Sequence, residues 1–383
     1  MIFKNILVLV FCVVASISSL QASSLLKDTR QLSKRLYSIF IPPRDTQRTP
    51  KLVSGCVDFF PGPQAEMILN RPAVGNAISA PMAFDMNNIL AYCETDSSIK
   101  EVVIKSSSST IFSAGGDIPS IIDPLLENNK RKAIVTFALA YLLVDRLVDF
   151  PKPTIAEVEG FAVGAGMSLA MHARSCVVKN KAVFSTPETS IGLFTDSGAL
   201  CFYNRLPRSI ALYLALTGAK ITHEQARQIG LVKSNSEHIP SSFLPPVLED
   251  AFSSPTLEGI FDALSHSSLP EAQKCLERLK KNAPTALAVT FEMIRRGPQM
   301  SNREIIEQDF TLAQAFCELP VLGDFLEGTC ALFEKDYKSN NYKPQWLPAL
   351  DPASIRKLFT RREGQPGLFD RSVEDYMNEW IKL

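Results

Sequence analysis

The chain has 383 residues, of which 46% are apolar, enough to bury one large core or two modest ones. Forty Lys and Arg balance forty Asp and Glu, which argues against nucleic acid as a partner, because binding a polyanion wholesale requires a basic surface. The eight cysteines (Cys12, Cys56, Cys93, Cys176, Cys201, Cys275, Cys317 and Cys330) form no CxxC pair, and there are only four histidines. No Cys/His metal site is expected, and the thiols read as buried groups in a reducing compartment.

In chain order, Met1–Lys4 leads into a mostly apolar run, Ile6–Leu20, that falls short of the roughly 18–20 residues of a membrane helix. No stable membrane insertion is therefore expected of the mature form. Two readings stand. A short basic start, an apolar centre and the small residues Ala22–Ser23 look like a secretory signal. An acid-poor start, with Asp28 as its first acid, running into the basic stretch Lys27–Arg35 fits an organelle presequence. Taken alone, the segment favours the secretory reading. At the other end, Ile381–Leu383 lacks the small first residue of a peroxisomal tail. Residues 41–64, with Pro42, Pro43, Pro50, Pro61 and Pro63, read as a linker.

Ala65–Leu69 reads as a strand, Ala80–Thr95 as a helix, and Val102–Ile104 as a short buried strand. Residues 133–149 read as an amphipathic helix, Thr154–Val158 as a strand, Ala165–Ala173 as a helix and Val183–Ser185 as a strand. Beyond about residue 255 strand signals fade, and Leu257–Leu264, Glu271–Lys281, Leu287–Arg295 and Asn302–Cys317 read as helices. Strands alternating with helices, then helices alone, predict an α/β core followed by a helical region. The expected divisions are 1–50 as targeting segment and linker, 51–255 as core and 256–383 as helical C-terminal region.

Four segments carry chemistry. They are Leu69–Pro72 (LNRP), Phe112–Ile118 (FSAGGDI), Gly160–Ala170 (GFAVGAGMSLA) and Pro187–Gly198 (PETSIGLFTDSG). The second and third are turns of small residues that leave backbone N–H groups free, and the third opens a helix, whose dipole favours negative charge. Two such N–H groups aimed at one point stabilise an oxyanion. The fourth holds two carboxylates eight residues apart, Glu188 and Asp196. Facing one pocket, such a pair can keep one member ionised and the other protonated. Each has a plainer meaning alone: AGGD a turn, GAG helix–strand packing, Glu188 a solvated loop acid. Leu169 at the third glycine position excludes the dinucleotide fingerprint. No GxSxG nucleophile turn or phosphate loop occurs. His172 reads as a packed or surface residue, His223, His238 and His266 carry no motif, and Trp346 reads as an anchor.

In this order the four segments resemble the enoyl-CoA hydratase/isomerase (crotonase) superfamily, and within it the 3-hydroxyisobutyryl-CoA hydrolase subgroup, from about Ala65 to Trp346. The most specific stretch is PETSIGLFTDSG, followed by Arg205–Pro207, Leu214–Gly218, Asp324–Gly328 and Pro344–Pro348. The resemblance implies a crotonase-type spiral of ββα units with a helical C-terminal region. It implies an oxyanion hole from the backbone N–H groups of Gly116 and Ala165, with Glu188 and Asp196 as catalytic acids. Glu188 would be nucleophile or general base, and Asp196 would orient a substrate hydroxyl or assist proton transfer. Ala114, Gly115, Asp117, Ile118 and Gly164 would contact substrate or coenzyme A. Hydratases of the family carry a second glutamate where this chain has Ser168, which argues against hydration of a double bond. No separate cofactor and no metal are implied, since coenzyme A arrives as part of the acyl-CoA substrate.

The chain departs from the subgroup at Ala165 among the glycines of 164–166, at Ala140 before Tyr141, at Thr195 before Asp196, at Cys330 and at Ala73. The connection 237–270 is also shorter. The implied function is thioester hydrolysis of 3-hydroxyisobutyryl-CoA in valine catabolism, in the mitochondrial matrix, with a secretory or bipartite route as the alternative. Subgroup members also resemble components of the mitochondrial ribosome's small subunit, so a catalytically reduced scaffold is the second reading and a hydratase or isomerase the third.

Overall fold

The computed structural model describes residues 50, 52–232, 243–318, 321–333 and 351–383. The targeting readings for the first 49 residues, His238 and the Pro344–Pro348 motif lie outside them. Among the described residues seven strands form one sheet: β1 (Val57–Phe60), β2 (Gln64–Leu69), β3 (Glu101–Ser106), β4 (Ile111–Ser113), β5 (Thr154–Val163), β6 (Ser175–Ser185) and β7 (Ile221–Thr222). Their order is β1-β2-β3-β5-β6-β7, with β4 set against β5 off that path. The pairs β2–β3, β3–β5, β4–β5 and β5–β6 are parallel, and only β1–β2 and β6–β7 are antiparallel. Parallel pairing requires crossover helices, and the α/β fold class expected from the alternation is what forms.

The crossovers are α1 (Ala80–Thr95), α2 (Pro119–Leu126), α3 (Lys130–Val148) and α4 (Ala165–His172). They are followed by α5 (Ala199–Tyr203), α6 (Arg208–Thr217) and α7 (His223–Gln228). The remaining helices are α8 (Pro246–Phe252), α9 (Leu257–Ser265), α10 (Pro270–Leu279), α11 (Pro284–Arg296), α12 (Asn302–Phe316), α13 (Val321–Phe333), α14 (Pro352–Leu358) and α15 (Val373–Lys382). Pro50–Leu383 forms one compact unit. The late helices reach back onto the core: α12 and α15 pack on α3, and α13 packs on the short 3₁₀ turn Glu188–Ile191. A bidentate Arg131–Glu379 pair and a hydrogen bond from the Trp380 indole to Thr136 Oγ1 (3.2 Å) fasten α15 to α3.

Three expectations need correction. The stretch 41–64 is not linker throughout, since β1 and the first residue of β2 lie within it. Pro61 and Pro63 flank the β1–β2 connection rather than interrupting a strand, where proline would remove a ladder hydrogen bond. β5 runs on to Val163, through the segment read as a turn. β6 begins at Ser175, eight residues ahead of the expected start. Lys179, Asn180 and Lys181 are exposed and mask any apolar alternation. Pairing with β5 supplies the order that propensity withholds.

β5 changes partner midway. Residues 154–157 pair with β3, and Phe161 and Ala162 pair with β4. The change occurs at Gly160 (φ +74°), where any Cβ would overlap the Thr110 carbonyl. This bend carries the end of β5, and the helix that follows it, toward the β4 turn.

Candidate active site

The first two motifs are joined by charge. Arg71, at the end of β2, donates to Asp117 Oδ2 (2.6 Å) and to the Ala77 carbonyl (3.0 Å). Buried Asn76, in the left-handed region at φ +53°, fixes the loop between them. Its Oδ1 accepts the Arg71 N–H (2.7 Å), and its Nδ2 donates to Ser106 Oγ (2.8 Å) and the Phe112 carbonyl (3.1 Å). Asn is among the few residues with a side chain that visit this region readily. Asp117 is therefore held by Arg71. Ala114 is exposed and Ile118 half-buried beside it.

The second and third motifs touch. Gly115 (φ +101°) lies so close to the end of β5 that a Cβ there would sit 2.8 Å from the Val163 carbonyl oxygen and 3.4 Å from the Ala165 nitrogen. Gly164 (φ +53°, ψ −127°) precedes the first turn of α4. Among the described residues neither the Gly116 nor the Ala165 N–H donates a hydrogen bond. The two free donors sit on contacting turns, one of them at a helix N-terminus, an arrangement suited to an oxyanion. Ala165 keeps its N–H, so its departure from glycine leaves this donor in place.

The fourth motif brings the carboxylates to the same place. Glu188 is 7% exposed and Asp196 6% exposed. Glu188 Oε1 faces Gly164 so closely that a Cβ on that glycine would lie 2.8 Å from it. Glu188 Oε2 is buried and has no hydrogen-bond partner among the described residues. Burial first, and the Asp196 carboxylate second, hold the Glu188 carboxyl well above the usual carboxylate range. Burial likewise pushes Asp196 up, to about 6, against hydrogen bonds from the Tyr141 hydroxyl, its own backbone and Ser197 that favour its ionised form. Tyr141, on α3, donates to Asp196 Oδ2 at 2.6 Å.

The loop is built from beneath by the helical region. The Thr189 carbonyl accepts the Ala283 N–H (3.0 Å), and Asn282 Nδ2 donates to Thr189 Oγ1 (3.1 Å) and the Leu216 carbonyl (2.7 Å). Thr195 has its own reason for standing where the related pattern has proline: its N–H donates to Thr290 Oγ1 (3.0 Å), a bond proline cannot make. Gly328, within the DFLEG motif on α13, presses on Ile191, and a Cβ would come within 2.5 Å of its carbonyl carbon.

All the singled-out residues of the second, third and fourth motifs thus belong to one region. Ser168, one turn into α4, is 1% exposed, and its Oγ has no hydrogen-bond partner among the described residues. His172 is packed as expected: Nδ1 lies 2.7 Å from the Ser168 carbonyl and Nε2 3.1 Å from that of Gly198. Burial lowers its pKa to about 4, so it stays neutral. Two contributors escaped the sequence reading. In the sequence Tyr141 stands out only for the alanine before it. Asp309, on α12, is 1% exposed and accepts the Gly198 N–H at 2.7 Å. In the sequence its one sign is its place in the apolar stripe of α12 with Ile305, Phe310, Leu312, Ala313 and Phe316, where an acid is uncommon unless it is paired.

The sequence profile of the enoyl-CoA hydratase/isomerase family matches residues 65–244 and 233–359. The mitochondrial 3-hydroxyisobutyryl-CoA hydrolase of Xenopus laevis is 30% identical over 346 residues, covering 80% of this chain and 89% of its own length. That of Danio rerio is 30% identical over 78% of this chain and 87% of its own. Among solved structures, an enoyl-CoA hydratase from Rhodobacter sphaeroides superposes with a TM-score of 0.73 at 27% identity, over 82% of this chain and 99% of its own.

Proposed function

The chain belongs to the enoyl-CoA hydratase/isomerase family, and on that premise we propose that it is an acyl-CoA thioester hydrolase whose substrate is 3-hydroxyisobutyryl-CoA, acting in valine catabolism. The observation that carries the reading is the placement of Glu188, buried against Gly164 with one oxygen unpartnered among the described residues, beside two backbone N–H groups that donate to none of those residues and with a serine, not a carboxylate, at 168. The relatives named for this hydrolase support the choice of substrate.

In the proposed reaction the thioester carbonyl oxygen accepts from the N–H groups of Gly116 and Ala165, which stabilise the negative charge that develops on it. Ionised Glu188 either attacks the carbonyl carbon, expelling the coenzyme A thiolate and leaving an acyl anhydride for water to open, or takes a proton from a water that attacks directly. Both routes consume one water and release the free acid and coenzyme A. Asp196, oriented by Tyr141, holds the substrate hydroxyl or relays a proton. Ala114, Gly115, Ile118 and Gly164 form the approach to the reacting carbon, and Asp117 shapes it through Arg71. No cofactor beyond the coenzyme A of the substrate enters this scheme. We place the protein in mitochondria, in the matrix, in keeping with relatives named as mitochondrial.

The test is thiol release by purified residues 50–383 from 3-hydroxyisobutyryl-CoA, with 3-hydroxypropionyl-CoA and crotonyl-CoA alongside. Rapid release from the hydroxyacyl thioesters without hydration of crotonyl-CoA is expected. A folded protein inert toward all three refutes the proposal.

A further inference from the structure

Asp309 lies outside every motif that defines the site, yet it meets the peptide that follows the acid pair. The segment Asp196–Gly198 makes a sharp turn in which Ser197 (φ +56°) and Gly198 (φ +69°) are both left-handed. For serine this conformation is strained, and it persists only where the surroundings enforce it. Three side chains from three helices do so. Tyr141 on α3 donates to Asp196 Oδ2. His172 on α4 meets the Gly198 carbonyl through Nε2. Asp309 on α12 accepts the Gly198 N–H at 2.7 Å. Gly198 is therefore held at its N–H by Asp309, and its carbonyl lies against the His172 ring. A side chain on Gly198 would run into Val144 and the His172 ring, so the position has room only for glycine.

An acid here needs explaining. Asp309 Oδ1 is buried without a hydrogen-bond partner among the described residues, which costs free energy that an apolar residue would avoid. The titratable groups that act on it are Asp196 in the loop, Cys201 on α5 and Tyr141 on α3. None of these is a cation to which Asp309 is paired. What Asp309 does make is a side-chain hydrogen bond to a backbone N–H inside the left-handed turn.

We propose that Asp309 is a positioning residue for Asp196: by holding the Gly198 N–H from the helical C-terminal region, it keeps the Ser197–Gly198 turn that sets Asp196 beside Glu188. This rests on the hydrolase reading for its catalytic consequence but not for its geometry. It also gives α12 a task in the reaction although no residue of that helix is assigned to the substrate.

The experiment compares Asp309→Asn, which keeps an oxygen acceptor, with Asp309→Ala and Asp309→Leu, which do not. The leucine fills the carboxyl's volume and removes the orphaned oxygen, so it guards against an alanine variant that does not fold. Two readouts are taken on each folded variant: kcat and KM for 3-hydroxyisobutyryl-CoA, and the titration of Asp196 followed by carboxyl-carbon NMR, assigned by difference from Asp196→Asn. Asparagine is expected to retain kcat within about threefold and to leave the Asp196 titration in place. Leucine or alanine is expected to lower kcat at least about tenfold with KM little changed, and to move the Asp196 titration upward as the turn's hydrogen bonds to it are lost. An unmoved titration in the leucine variant overturns the proposal, as does an asparagine variant that loses as much as leucine. If the wild type hydrolyses no thioester, the NMR comparison still decides whether Asp309 positions Asp196, and only the hydrolase reading falls.

Discussion

Replacing Glu188 by glutamine keeps the side chain's length and removes its charge, and it should act on turnover and stability in opposite directions. The proposed chemistry needs an ionised carboxylate, so turnover should fall at least about a hundredfold, roughly 2.7 kcal/mol of barrier. For stability the sign follows from burial. Glu188, Asp196 and Asp309 all have folded-state pKa values raised above their ordinary ones. A group raised in this way stabilises the fold fully below its unfolded pKa, and that contribution is lost as pH climbs toward the folded value. For Asp196 the window runs from the ordinary 3.8 to about 6, so roughly two pH units at about 1.4 kcal/mol each amount to roughly 3 kcal/mol. Glu188 opens its own window at the ordinary 4.5 and extends it upward. Glutamine does not titrate, so the variant should gain on the wild type by up to about 1.4 kcal/mol for each pH unit within that window. Urea unfolding at half-unit steps from pH 4 to pH 8, paired with thiol-release assays, measures both effects. Parallel stability curves would show that Glu188 is not held protonated by burial, and unchanged turnover would remove it from the reaction.

Other perturbations test the surrounding geometry. Ala165→Pro removes the N–H proposed as an oxyanion donor, at the first helical position, where proline is tolerated; kcat should fall about 10²–10³-fold with the far-ultraviolet circular dichroism unchanged. Tyr141→Phe deletes a hydrogen bond that favours ionised Asp196, so the acid limb of the kcat/KM profile should move to higher pH, with a stability loss of about 1–3 kcal/mol in thermal or urea melts. Gly328→Ala drives a methyl into the Ile191 backbone and should destabilise the protein by about 1–3 kcal/mol and lower turnover, although Gly328 is assigned no contact with substrate; urea unfolding and thiol release measure the two effects.

Much of this protein is legible in its sequence. The α/β alternation, the helical run after residue 255 and the four motifs follow from periodicity and from small residues at turns, which are local properties of the chain. Glu188 and Asp196 could be singled out because they share a short stretch with its own signature, whereas Gly116 and Ala165 are implied by the family resemblance of theirs. What local pattern could not supply was partnership. Most of β6 was invisible because its exposed Lys179 and Lys181 carry no alternation, and only β5 alongside makes it a strand. Tyr141 and Asp309 lie 55 and 113 residues from Asp196 in the chain, on helices whose sequences read as ordinary packing. They join the site because α3 and α12 pack together beneath it. Residue types and turn geometry were determined along the chain. Burial, and with it the raised pKa of each carboxyl and the grip on the Gly198 peptide, was decided only when distant helices closed over the loop and excluded water.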